Sequence, residues 1–93
     1  MSLPIGSVTV TSPGTAVAVV SSGNAISAVS FRARSDNTGA VYVGDSDVDS
    51  TNGYRLEPGD ELTLSFRETI DLRRFFIDGD TANDSADFAG VAA

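Results

Sequence analysis

The chain has 93 residues, 41% of them apolar and 20% charged, which is enough for one small domain with its own core and too short for two. It holds no Cys and no His, and all six of its cations are Arg, so disulfides, thiolate nucleophiles, Cys- or His-ligated metals, the Ser-His-Asp triad and lysine Schiff bases are excluded. Thirteen acids set the net charge at −7, a balance that repels nucleic acid and anionic membrane surfaces.

In chain order the dominant signal is period two, broken by turn residues. Ser7 to Thr11 alternates, with Val8 and Val10 on one face. Ser12-Pro13-Gly14-Thr15 has Pro and Gly where a type II turn wants them. Thr15 to Ser21 is β-branched and apolar on both faces, so a strand covered on both sides is expected, with Gly23-Asn24 closing a hairpin. Ile26 to Arg34 sets Val29, Phe31 and Ala33 against Ser30, Arg32 and Arg34. After the turn Asp36-Asn37-Thr38-Gly39, Val41 and Val43 oppose Tyr42. A polar loop from Asp45 to Gly53 leads to a short strand, Tyr54 to Leu56.

Glu57-Pro58-Gly59-Asp60 is the clearest turn in the chain, because Pro fixes one φ and Gly accepts a positive one. Glu61 to Arg67 then alternates cleanly, with Leu62, Leu64 and Phe66 inward. Glu68 to Arg73 is β-branched and uncapped and reads as loop. Arg74 to Asp78 is a strand, Asp78 to Asp87 a second acidic loop, and Phe88 to Ala92 a last strand. Seven or eight short strands at this spacing describe one all-β domain over residues 1–93, an antiparallel β-sandwich or small barrel. Residues 1–6 are expected as an N-terminal arm, flexible or exchanged between subunits. They follow no basic segment and do not read as a signal peptide, and no apolar run approaches the ~18 residues of a membrane span.

Two patterns could carry a site. Asp45, Asp47 and Asp49 space oxygens as a calcium loop does, and Asp78, Asp80, Asn83, Asp84 and Asp87 crowd a second loop. The EF-hand pattern fails at once, with Ser50 where Gly belongs and Glu57 one place late. Asp and Asn are also the ordinary residues of turns, so no metal and no cofactor is expected. Thirteen acids in short loops bring some carboxylates close by chance, which does not make a glycosidase cleft, and no enzyme is expected. The other pattern is a contact surface. Tyr42 opposes the core face of its strand, one of Phe75 and Phe76 must face outward if both lie in a strand, and Arg32 and Arg34 share a face. These five residues are the candidate interface, unless a second layer of the same monomer covers the aromatics.

Residues Arg34-Ser35-Asp36-Asn37-Thr38-Gly39-Ala40-Val41-Tyr42-Val43-Gly44, then Ser46-Asp47-Val48, then Asn52-Gly53-Tyr54-Arg55-Leu56-Glu57-Pro58-Gly59-Asp60, with Ile77 to Ala82 as a closing segment, resemble the small β-sandwich proteins encoded among the virion genes of tailed bacteriophages. The resemblance implies a non-enzymatic virion structural protein, a decoration protein or a head–tail, tail or fibre module. A domain this small gains stability by symmetric association, so a homo-oligomer is expected, a trimer being favoured, bound to other virion proteins and made in the bacterial cytoplasm; with the acidic charge, no nucleic-acid or membrane partner is expected. The motifs are strand and turn features, so no functional residue is carried over. The rival reading from the acidic loops is a small calcium- or carbohydrate-binding module.

Overall fold

A computed structural model of the chain describes residues 4–21, 23 and 25–92. The alternating stretches become strands β1 (Ile5–Thr9), β2 (Val17–Ala18), β3 (Ala25–Ala33), β4 (Val41–Gly44), β5 (Tyr54–Leu56), β6 (Glu61–Asp71), β7 (Phe76–Gly79) and β8 (Ser85–Ala92), with one 3₁₀ turn at Leu72–Arg74. They form two antiparallel four-stranded sheets. The first has the order β1-β8-β3-β6 and the second β2-β7-β4-β5. The expected all-β sandwich of about eight strands is therefore the fold. Among the described residues no helix is long and apolar enough to cross a membrane.

The core lies between the sheets. Val29, Phe31 and Ala33 of β3 and Ala86 and Phe88 of β8 meet Val41, Val43, Leu56 and Ile77 of the second sheet. Each large apolar side chain so buried contributes about 1.5–3 kcal/mol, and Phe31 stacks at a tilt on Phe75, ring centroids 5.5 Å apart. The Pro-Gly turn at Glu57–Asp60 forms as read: the Asp60 amide donates to the Glu57 carbonyl at 2.9 Å and Gly59 has φ +89°. Thr15 likewise donates back to Ser12 at 3.0 Å.

Four expectations are corrected. Glu68 to Arg73 is not loop, because β6 runs on to Asp71 and pairs again with β3 at Ile26↔Ile70. Between Ala28↔Ser65 and that pair, Ser27 of β3 stands opposite four residues of β6, 66–69, an irregularity in the ladder. Leu72 then anchors the 3₁₀ turn by full burial, and the Asp71 carboxylate accepts from the Arg73 amide as its cap. The hairpin expected at Gly23-Asn24 falls partly outside the described residues, and its flanking strands β2 and β3 lie in different sheets. Thr15 to Ser21 yields only the two residues of β2. Finally, Pro4 to Gly6 are not a free arm: Ile5 and Gly6 pair with Ala89 and Phe88 of the same chain, and Gly90 donates to the Pro4 carbonyl at 2.8 Å. The rest of the expected arm, residues 1–3, lies outside the described residues.

Candidate interaction surface

The five candidate interface residues separate into two places. Tyr42 does point away from the main core, as its position in β4 requires, but it is only 3% exposed. It forms a second, smaller apolar cluster with Ala40 and Val48, against which Ala16 and Phe76 pack. Val48 comes from the loop between β4 and β5, folded back over the sheet. Gly53 makes that approach feasible, since a Cβ there would lie 2.6 Å from Val48 Cγ2. Phe75 and Phe76 face opposite ways, Phe75 into the main core beside Phe31 and Phe66 and Phe76 into the small cluster. The aromatic half of the expected interface is thus covered by the chain itself.

A polar network rims this cover. The Tyr42 hydroxyl donates to the Asp80 carboxylate at 2.9 Å and accepts from Arg55 Nη1 at 2.9 Å, while Arg55 Nε donates to Glu57 at 2.7 Å. Burial, reinforced by the Asp80 carboxylate, raises the Tyr42 pKa above its ordinary value, with Arg55 opposing.

The acidic loops are tied into the backbone. Asp45 accepts from the Asp47 amide, and Asp49 from the amide and hydroxyl of Thr51, which holds the Asp49 carboxyl below its ordinary pKa. The second acidic stretch is loop only from Asp80 to Asp84, because Asp78 lies in β7 and Asp87 in β8; buried Asp78 accepts from the Gly14 amide at 3.0 Å, drawing the turn at Ser12–Thr15 over the second sheet. Buried Asp84 accepts from the amides of Thr38 and Gly39 at 2.9 and 2.8 Å. Asp80, by contrast, serves Tyr42. Among the described residues no three Asp or Glu side chains are grouped so as to hold a metal ion. The chemistry these carboxylates perform is turn closure.

Arg32 and Arg34 lie elsewhere, on the exposed outer face of the first sheet. Register lays that face out in rows. Ile5, Ala89, Ser30 and Thr63 form one row across β1, β8, β3 and β6; Ser7, Asp87, Arg32 and Glu61 form the next. Val91, Ala28 and Ser65 lie on one side of these rows, and Thr9 and Ser85 on the other. Ser30 and Thr63 share a hydrogen bond at 3.0 Å, as do Thr9 and Ser85 at 2.9 Å, and Arg34 Nε sits 3.7 Å from Asp87. Besides its charged residues the face carries the small side chains Ala28, Ser30, Thr63, Ser65 and Ala89, with Ile5 67% and Val91 49% exposed. A shallow depression of about 270 Å³ runs between Ile5, Arg32 and Ala89. Charge is balanced in these rows, Arg32 and Arg34 against Asp87 and Glu61, whereas the loop that covers the second sheet carries Asp45, Asp47 and Asp49, and its rim holds Glu57, Asp80 and Arg55.

Ile5, Ala28, Ser30, Ala89 and Val91 were not singled out by sequence reasoning, which looked for large outward aromatics. Their signal was the run of small residues on the outward phase of two long strands. In comparisons with known proteins, no family model, no curated protein and no solved structure matches the chain.

Proposed function

We propose that the chain is a non-enzymatic structural protein of a bacteriophage or prophage virion, which associates with its own copies and binds a capsid or tail surface. The observation that carries the associating role is the bare outer face of the first sheet, where Arg32 and Arg34 stand beside Asp87 and Glu61 in a chain of net charge −7. Exposed apolar side chains set among polar neighbours, here Ile5 and Val91, are a feature of contact surfaces. The virion assignment is supported by the resemblance of residues 34–44, 46–48 and 52–60, which build β4, the covering loop, β5 and the turn after it.

The test is fractionation of particles from a lysate of the source strain, probed with an antibody against the chain. Co-sedimentation with capsids or tails in a fixed ratio to the major structural proteins is the expected result. Recovery only in the particle-free supernatant overturns the reading. The calcium-binding alternative predicts a melting temperature that rises in millimolar calcium, since a ligand that binds the native state stabilises it. With the loop carboxylates already engaged by amides and hydroxyls, no rise is expected.

A further inference from the structure

We infer that the occupant of the first sheet's outer face is the same face of a second copy, related by a two-fold axis that runs along the strands between β8 and β3. The inference rests on the self-associating part of the function proposed above and names its contact.

The argument is one of charge complementarity and register. The sheet order β1-β8-β3-β6 has its midline between β8 and β3. A two-fold axis on that midline sets β8 of one copy against β3 of the other, and β1 against β6. The row Ser7, Asp87, Arg32, Glu61 then meets its own reverse. Asp87 faces Arg32 of the second copy, Arg32 faces its Asp87, and each Glu61 faces a serine. No like charges oppose one another in that row, which would otherwise be costly. The neighbouring row also matches itself, with Ile5 over Thr63 and Ala89 over Ser30, and Val91 meets Ala28 in the row beyond. Small side chains allow the ~10 Å approach of stacked sheets, and strand twist sets the two about 30° apart. Charge also selects this face over the other, because two copies meeting through the covered side would bring together two acidic rims.

Area limits the strength. Four strands and four rows frame roughly 20 Å by 20 Å, or ~400 Å² on each copy, about half of a standard interface. The contact is therefore concentration-dependent, with a Kd weaker than about 1 µM. It is also isologous, so it makes a dimer; the trimer favoured from the sequence would join two different patches.

Sedimentation equilibrium of the whole chain over a hundredfold range reaching roughly 1 mM decides it. The expected result is a monomer–dimer equilibrium. It is abolished by Ala89→Glu and weakened at least tenfold by Arg32→Asp or Asp87→Arg alone. The double variant Arg32→Asp/Asp87→Arg restores it, because opposite charges again face each other across the axis. Tyr54→Ser, on the other sheet, leaves it unchanged. Circular dichroism checks that each variant folds, and where one does not, the others still read the contact. A monomer at every concentration, a trimer, or a dimer indifferent to Ala89→Glu overturns the inference. Particle binding by a chain that stays monomeric would sink this contact while sustaining the virion role, and a dimer absent from particles would do the reverse.

Discussion

The second sheet turns Tyr42 and Phe76 outward and covers them with Ala16 and Val48 of its own chain, whereas the first sheet turns Ala28, Ser30 and Ala89 outward and leaves its face bare. Both sheets are four-stranded, antiparallel and packed on one core. The difference follows from side-chain size. A large aromatic offers enough apolar area to offset the entropy of ordering a loop over it. A row of Ala, Ser and Thr offers too little to recruit a loop, yet its small side chains let another sheet approach. Outward aromatics here therefore mark where the molecule is closed, and outward small residues mark where it is open.

The largest test of that contrast is a pair of substitutions. Tyr42→Ala empties the small cluster and removes the anchor of Arg55 and Asp80, and is expected to cost about 3–5 kcal/mol in denaturant unfolding. Ala89→Glu, equally outward on the first sheet, is expected to stay within about 0.5 kcal/mol. Equal losses would erase the distinction between a covered and a bare face. A smaller effect comes from the buried carboxylate that holds the loop before β4. Asp84→Ala leaves the amides of Thr38 and Gly39 without their acceptor and is expected to cost roughly 2–3 kcal/mol. Faster amide exchange at Thr38 and Gly39 would locate the damage. Unchanged exchange there would mean that water replaces the carboxylate.

Features set by local chemistry are legible in the sequence, and those set by contacts between distant segments are not. Alternation identified β3, β4 and the first half of β6, because polar residues alternate with apolar ones along β3 and β6 and Tyr42 stands opposite the two core valines of β4. The Pro-Gly turns at Ser12–Thr15 and Glu57–Asp60 form as read, since their geometry is set within four residues. What failed was non-local. Glu68 to Arg73 has no alternation to show because residues 66–69 interrupt the ladder, and pairing resumes only where Ile26 waits on β3. The direction of Tyr42 was correct from its phase in β4, but its cover comes from Val48, and no periodicity announces that a loop folds back. Asp78 and Asp84 read as ordinary turn residues of an acidic loop, yet each is buried against amides from segments distant in sequence. Two distant segments paired through backbone amides leave no side-chain motif.

The finest test concerns the polar rim of the covered face. Tyr42→Phe keeps the ring and removes only the hydroxyl, and Asp80 and Arg55 are exposed enough to bond water instead. At neutral pH the loss is expected to be about 1 kcal/mol, the usual net worth of such a bond. The alkaline limb carries the discriminating information. Burial and the Asp80 carboxylate raise the Tyr42 pKa above 10.0 in the folded chain. In the unfolded chain the phenol ionises at its ordinary value, so the native state is disfavoured progressively as pH rises from 10 through the raised folded value. The stabilisation due to the hydroxyl is fully present below pH 10 and lost above it. Wild type and Tyr42→Phe should therefore differ most at neutral pH and converge above pH 10 in parallel denaturant titrations. A gap of constant size across that range would mean that the hydroxyl is not held by Asp80, and that the small cluster is closed by packing alone.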